Sequence, residues 1–596
     1  MSKRMNRRSF LQIFVVSASA SGTGLLSACV DDELSSDPAD QLRVYPQGLA
    51  SGDPHEDSVI LWTRVEPEGE ASVTVTCEVA SDEAFATIVF QGEFTVDGSS
   101  DHALRVKVQK LAPYTFYYYR FVARGVISET GRTKTAPKED EDVPVRFAFA
   151  SCQDYNGRYY HAYRALVEQE PDLDFVLHLG DYIYETEGDP RFQEPTQERR
   201  IVLPDGLPIG TAEAPYSAAK SLADYRYLYR TYRSDPDLRR AHARYPFIAI
   251  WDDHEFADDS WQDHSTHFNE AQGGEKDPVR RQSASQAWYE YQPADVTHIA
   301  SGSFPDDITI YRSLRYGAHV ELILTDQRYY RDDHLIPEGP LDTDVGKVFE
   351  NSSLGSRQLV IKLGTDTVTG EPIGFDIREA NIKPTMLGAT QKQWLIDTMT
   401  NSTATWKFWG NETQLAQMVL DLRNNMQLPA SFQALFYFTV DQWDGYRSER
   451  AEILQAIAEV PNVVALTGDI HAFYACQIHP DFDAPATPTC VEYTVAGVSS
   501  LAVQDIVQRV IDSEPALSSL GLGDLVPQFD TLLQQASPHY LYAKSKANGI
   551  AVAAVTAEDI QVTFMEVADV TNPDFDGNVT RVSFRTAVDT TDIEMM

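Results

Sequence analysis

Four separate apolar runs in this chain each end in side chains able to bind a metal ion, and that recurrence restricts the fold more than any other feature. Val145-Arg146-Phe147-Ala148-Phe149-Ala150 runs into Ser151-Cys152-Gln153-Asp154, and Phe175-Val176-Leu177-His178-Leu179 into Gly180-Asp181-Tyr182-Ile183-Tyr184-Glu185. Phe247-Ile248-Ala249-Ile250 runs into Trp251-Asp252-Asp253-His254-Glu255, and Val463-Val464-Ala465-Leu466-Thr467 into Gly468-Asp469-Ile470-His471. Short apolar runs of this kind read as buried strands. Amphipathic segments such as 160–168 and 391–399 lie between them, the rhythm of a layered α/β core. Open α/β sheets build their sites at the carboxyl ends of strands, so four strands are expected to deliver ligands to one edge.

Carboxylates are costly to gather unless cations neutralise them. Asp181, Asp253 and Asp469 offer hard oxygen ligands, His471 a nitrogen, Cys152 a thiolate and Tyr184 a phenolate. Phenolate is a ligand suited to a ferric ion. A glycine before Asp181 and before Asp469 lets the backbone turn sharply as it leaves the strand. Asp252 reads as a helix N-cap or an outer acceptor. His178, inside an apolar run, reads as a satisfied core histidine; His161, His242, His264 and His267 read as surface or loop residues. The formal charge of −40 excludes nucleic-acid or anionic-membrane binding through surface charge, which needs a basic face. It does not exclude an anionic substrate, because bound cations can dominate the local field.

At 596 residues the chain exceeds one ordinary core, so two or more domains are expected. Residues 1–29 form an export signal: Asn6-Arg7-Arg8-Ser9-Phe10-Leu11-Gln12 carries the paired arginines of the twin-arginine type, and 13–26 is too short for a membrane span. Leu26-Ser27-Ala28-Cys29 resembles a lipoprotein cleavage box, which makes Cys29 a candidate lipid anchor; the alternative is simple release with Cys29 discarded. Residues 30–43 read as an acidic tether and 569–596 as a polar tail. Between them, 44–136 alternates with period two as a small all-β domain. Leu111-Ala112-Pro113-Tyr114-Thr115-Phe116-Tyr117 resembles the corner of fibronectin type III-like sandwiches, where a tyrosine hydroxyl pins the loop. The catalytic domain is expected over 145–568, with long insertions at 335–382 and 504–535. Cys476 and Cys490 are candidates for a disulfide in an exported protein, and Cys77 is expected as a buried thiol.

The order Gly-Asp-x-x-Tyr, Asp-His-Glu, Gly-x-x-His is similar to the calcineurin-like and purple acid phosphatase pattern. Cys152 stands where the purple enzymes place an aspartate, Asp253 replaces an asparagine, and Asp469 replaces the first histidine of His-x-His. These departures resemble PhoD-type alkaline phosphatases of the metallophosphoesterase superfamily. So do Ala150-Ser151-Cys152-Gln153, Trp251-Asp252-Asp253-His254-Glu255, Gly468-Asp469-Ile470-His471-Ala472, Gly48-Leu49-Ala50-Ser51-Gly52-Asp53-Pro54 and Ile60-Leu61-Trp62-Thr63-Arg64.

The resemblance implies an α/β fold: a layered β-sandwich metallophosphoesterase core with helices outside, preceded by the all-β domain. It implies one ferric ion (Fe3+) with calcium (Ca2+) neighbours. Cys152, Asp181, Tyr184 and His471 resemble the iron ligands, with Asp181 bridging; Asp253 and Asp469 resemble calcium ligands, and a further ligand is expected at Asn411. The implied activity is hydrolysis of phosphate mono- and diesters by metal-bound hydroxide, outside the cytoplasm, by a monomer whose other partner is the twin-arginine export machinery. His254 is the candidate proton donor. Arg281 and Arg328 are candidate phosphate clamps, since an arginine fork matches phosphate geometry; structural ion pairs are the alternative. Two rival functions remain: a phospholipase D-like diesterase, and a cell-surface binding protein with a vestigial site.

Overall fold

The computed structural model describes residues 34–210, 215–265, 275–336, 357–365, 372–425, 428, 433–513, 518–519 and 521–596. The export signal and Cys29 lie outside the described residues, as does His267.

The apolar runs form the centres of two large sheets. In the first, of ten strands, Val145–Ala150, Phe175–His178 and Pro246–Ala249 lie side by side and parallel. In the second, of seven strands, Val320–Leu324, Trp406–Asn411, Val463–Thr467 and Cys490–Thr494 are parallel neighbours. The sheets pack face to face through one core that joins Phe147 and Val176 to Leu322, Phe408 and Leu466. The Phe147 and Phe408 rings meet edge-on at 5.4 Å, within the range where aromatic quadrupoles attract. Helices cover the outer faces: Tyr163 and Leu166 of His161–Gln169 and Leu228 of Leu222–Tyr232 on the first sheet, and Leu395 of Gly388–Asn401 and Ile453 of Arg447–Ala456 on the second. Burial on both faces is why the central strands read as unbroken apolar runs instead of alternating ones.

The segments on either side of the central strands pair with them more widely than their sequence patterns show. The segment 44–136 does not stand apart. Leu49–Gly52, Ser58–Arg64 and Ala103–Gln109 extend the first sheet, joined by the parallel register Ser51↔Pro246. Ser72–Ala80, Ile88–Asp97, Phe116–Ala123, Val126–Ile127 and Gly131–Lys134 make a five-stranded sheet that packs over this extension through Leu61, Val75, Val106 and Tyr119. Within it the Tyr117 hydroxyl accepts the Ala112 N–H at 2.8 Å, pinning the loop as the sequence suggests. The tether closes into a helix, Pro38–Val44, because Asp37 caps its first turn and proline occupies its start, both helix-starting signals. The tail pairs as well: Val579–Ala587 runs antiparallel to Asp559–Val567 along nine residues and buries Phe584. Its outer face is polar, which hid the alternation.

Cys476 and Cys490 are free buried thiols. Cys476 faces Glu492 and Cys490 faces Ile478, so the two thiols sit out of register on their adjacent strands. Cys77 is a buried thiol as expected. His161 and His242 are buried, not peripheral; the His242 Nε2 lies 2.7 Å from the Tyr182 hydroxyl. His178 is buried with neither ring nitrogen hydrogen-bonded, and burial depresses its pKa to about 3. It is a neutral core residue, but not a satisfied one.

Candidate metal centre

The ends of three of the four ligand-bearing strands, at Asp181, Asp253 and Asp469, open toward one cavity, and Cys152 at the fourth lies buried beside them. Cys152, Asp181, Asp469 and His471 each adopt a left-handed backbone, with φ of 59°, 57°, 62° and 55°. Non-glycine residues rarely take this conformation, and it persists only where surroundings impose it. The preceding glycines have different reasons. Gly180 has φ of 107°, and a Cβ there would lie 2.5 Å from the Asp252 Cβ. Gly468 is needed for close approach: a Cβ would meet the Ser151 Cβ at 2.6 Å. Glu255 ties two of the strand ends together, accepting the N–H groups of Asp181, Tyr182 and Asp252 at 3.1, 2.8 and 2.9 Å.

The turns converge the expected ligands. Cys152, Asp181 and His471 present ligand atoms within 4.8 Å of one another, as do Asp181, Asp253 and His254. Asp252, Asp253 and Asp469 form a third such group, and Asp253, Asp259 and Asp441 a fourth. Asp181 belongs to two groups and Asp253 to three, so the four form one continuous cluster. The Tyr184 hydroxyl joins it, 3.0 Å from Asp181 Oδ2 and 3.1 Å from His471 Nε2. Ser500 donates to that hydroxyl at 2.7 Å. His471 Nδ1 lies 2.7 Å from the Leu501 carbonyl. A carbonyl only accepts, so the proton sits on Nδ1 and the Nε2 lone pair faces the cluster, the arrangement of a ligating histidine.

Burial and mutual repulsion dominate the electrostatics of the cluster. Burial raises the Asp181 carboxyl well above the usual range, against the pull of His254 and with further repulsion from Asp253 and Asp252. Burial and Asp252 do the same to Asp469. Burial, then Asp181, raises both the Cys152 thiol and the Tyr184 phenol. Burial lowers His471 to about 4. Asp181 Oδ1 and Asp252 Oδ2 are buried with no hydrogen-bond partner. Unpaired buried polar oxygens are costly, and cations at these positions would satisfy them, so the donor set fits bound metal.

His254 stands at the rim of this cluster with its Nδ1 2.6 Å from Glu185 Oε2 and its ring tilted over Tyr184 at 4.1 Å. Burial disfavours its charge, but Glu185, Asp181 and Asp253 outweigh that and hold the imidazolium well above its ordinary range.

Three expected site residues are placed otherwise. Arg328 is fully buried beneath the carboxylates, paired with Asp252 and Asp441 and 3.6 Å from both Asp253 and Asp469. Its Nε and Nη1 are taken by Asp252 and Asp441 while Nη2 makes no hydrogen bond, so it sits as a counter-cation within the carboxylate cluster. Arg281 lies over the rings of Trp251, Phe256 and Tyr329 at 5.0, 4.9 and 4.6 Å, away from the cavity. Asn411 accepts the Trp443 Nε1–H at 2.8 Å and donates to Thr467 Oγ1 at 2.9 Å, and it does not line the cavity. Asp259 and Asp441 were missed. Asp441 had a signal, since it too follows an apolar strand, Leu435–Thr439. Asp259 had none: it reaches the cluster because its N–H bonds Asp253 Oδ2 at 2.6 Å.

Above the cluster the cavity, about 210 Å³, changes character. Its upper walls are Val503, Ile506, Val507 and Val510 of the helix Val503–Ser513, with Leu525 and Phe529 beyond, facing Leu359, Leu420 and Phe438. Described residues of the stretch 504–535, read from the sequence as an insertion, supply this wall.

A family model for PhoD-like phosphatases matches residues 147–564, and one for the N-terminal domain of PhoD-like phosphatases matches 32–137. Alkaline phosphatase D of Bacillus subtilis (strain 168) is 34% identical over 452 residues, 74% of this chain. That match spans 66% of the relative, a little under two thirds of its length. A solved structure of PhoD superposes with a TM-score of 0.69 at 28% identity, covering 93% of this chain and 92% of that one. With the family model spanning the central parallel strands of both sheets and the strand-end cluster, the chain belongs to the PhoD-like phosphatase family of phosphoric ester hydrolases.

Proposed function

We propose that this chain hydrolyses phosphate mono- and diesters at a mixed iron–calcium centre. The observation that carries this reading is the meeting of Cys152, Asp181, Tyr184, Asp253, Asp469 and His471 in one cluster, all but Cys152 lining one cavity. Cys152, Asp181, Tyr184 and His471 would hold a ferric ion, since thiolate, phenolate and imidazole suit iron and a coordinating cation deprotonates a buried thiol. Asp253 and Asp469, with Asp252, Asp259 and Asp441 beside them, form an all-oxygen set suited to calcium. When bound, such cations polarise phosphate oxygens and supply water acidic enough to attack phosphorus near neutral pH.

The chain's own residues do the rest. Asp181 and Asp253, each belonging to more than one ligand group, would hold neighbouring cations. Arg328 and Glu255 fix the carboxylates and the loops that carry them, so the site is ordered before substrate arrives. His254, kept charged by Glu185, delivers a proton to the departing alkoxide. The reading also includes export by the twin-arginine route, supported by residues 6–12, with Cys29 as lipid anchor, supported by residues 26–29, and action as a monomer outside the cytoplasm.

The test is elemental analysis of natively exported protein, together with turnover of nitrophenyl and bis-nitrophenyl phosphate with and without calcium chelation. Iron with calcium, and activity lost on chelation, is the expected result. Zinc alone would overturn the metal assignment. Metal-loaded protein that cleaves neither ester would favour the vestigial binding protein. The phospholipase D-like alternative has one observation in its favour, the apolar wall.

A further inference from the structure

We infer that Ser500 is a positioning residue for the iron end of the cluster: its hydroxyl directs the Tyr184 phenolic oxygen and limits the charge that oxygen gives to a bound cation. The inference rests on the ferric reading of Cys152, Asp181, Tyr184 and His471 and adds a control that none of those four supplies.

A fifth strand reaches the site without contributing a ligand. Cys490–Thr494 lies parallel beside Val463–Thr467 in the second sheet. The chain leaving it, 495–501, crosses to the first sheet, where Gly497 bridges Ser151. Glycine permits that approach, since a Cβ at 497 would lie 3.1 Å from the Cys152 carbonyl oxygen and 3.3 Å from the Cys152 Cβ. Asn548 holds the segment from behind, donating its amide to the Gly497 and Ser500 carbonyls at 3.0 and 2.7 Å. Three of the four proposed iron ligands then touch one short turn. The Ser499 and Ser500 N–H groups donate to the Cys152 carbonyl at 3.4 and 3.2 Å. The Leu501 carbonyl faces His471 Nδ1, and Ser500 Oγ lies 2.7 Å from the Tyr184 hydroxyl.

Ser500 is 1% exposed, away from bulk water. Its oxygen accepts the Asp154 N–H at 3.2 Å. Its single proton has two acceptors in reach, the Tyr184 oxygen and the Cys152 carbonyl, the latter at 2.8 Å. A hydroxyl donates only once, so charge decides between them. With a cation bound, Tyr184 is deprotonated, and bonds to an ionised acceptor are about twice as strong as neutral ones. The proton therefore goes to the phenolate. The Cys152 carbonyl is not orphaned by that choice, because it keeps the two N–H groups of the turn. A hydrogen bond on the phenolate oxygen draws electron density away from the cation and lowers the energy of the phenolate electrons. Hydrogen bonds of this kind tune both the reactivity and the potential of a metal.

The experiment compares wild type, Ser500→Ala and Ser500→Thr as iron-loaded holoenzymes by visible absorption, resonance Raman, redox titration and kcat. The wild type should show a phenolate-to-iron absorption band, tyrosine modes enhanced on excitation into it, and a phenolate C–O vibration that shifts in deuterium oxide. Ser500→Ala should keep its iron, move the band to longer wavelength, lower the iron midpoint potential and lose the deuterium shift, with kcat down about 10-fold. Ser500→Thr retains a hydroxyl and should restore all four. Ser499→Ala removes a different bond of the same turn, from Ser499 Oγ to the Asp154 carbonyl at 2.7 Å, and should leave the band in place. A band and potential unmoved in Ser500→Ala overturn the inference. So does an equal shift in Ser499→Ala, which would assign the effect to packing of the turn. If Ser500→Ala does not fold or load iron, the wild-type deuterium shift decides, and its absence overturns the inference. Iron-loaded wild type with no tyrosine-enhanced band refutes ferric ligation by Tyr184 instead, whatever the variants do.

Discussion

The floor and the upper wall of the cavity are built by opposite means. The floor hangs from the ends of central strands, with left-handed backbone at Cys152, Asp181, Asp469 and His471 and nearly every side chain buried. The wall is a set of short helices carrying half-buried aliphatic residues. Ligand geometry tolerates errors of tenths of an ångström only when rigid elements and packed neighbours hold it. Hydrocarbon contact is non-directional and needs only area. Precision is thus concentrated where charge is handled, and the looser architecture is reserved for shape.

That contrast can be broken at the floor first. Asp181→Asn removes an oxygen shared by two metal-competent groups; kcat/KM should fall about 1,000-fold or more, the scale of losing a main electrostatic contact, with metal content falling in parallel. Retained metal and activity would mean that Asp181 does not bridge. Backbone strain provides the next test. Gly180→Ala drives a Cβ into Asp252 at φ of 107° and should cost about 3 kcal/mol of stability, visible in denaturant unfolding.

His254→Gln probes the rim. It should keep its metals yet lose about 100-fold in kcat on alkyl esters, with a smaller loss on nitrophenyl esters, whose leaving group needs no proton. Because Glu185 and the aspartates raise the His254 pKa, the wild type should hold its acid form through neutrality and lose activity as pH climbs past that raised value. The variant should lack this alkaline limb, and an unchanged profile would assign the proton elsewhere. The wall should respond least. Val510→Ala, at a half-buried position, should cost about 1 kcal/mol or less and leave iron and calcium content as they are. A loss of metal on that substitution would show the two regions to be one unit.

Much of the floor was legible beforehand. Cys152, Asp181, Tyr184, Asp253, Asp469 and His471 each follow an apolar run within a few residues, and such runs become strands for local reasons. The residues that misled were those whose meaning depends on where a long side chain turns. Arg328 and Arg281 have the same chemistry in sequence, but one lies against four carboxylates and the other among aromatic rings. Asn411 sits at a strand end like the true cluster members, yet Trp443 and Thr467 take both ends of its amide. The polar outer face of Val579–Ala587 concealed a strand that completes the first sheet.

Ligand types, their order, and the glycines that release them from strands belong to the amino-acid sequence alone, because each depends on a few adjacent residues. The merging of the N-terminal strands into the first sheet, the recruitment of Asp441, and the turning of the helix Val503–Ser513 toward the cluster belong to the tertiary structure. Those outcomes depend on contacts between residues hundreds of positions apart, where packing and charge compensation decide what any one side chain faces.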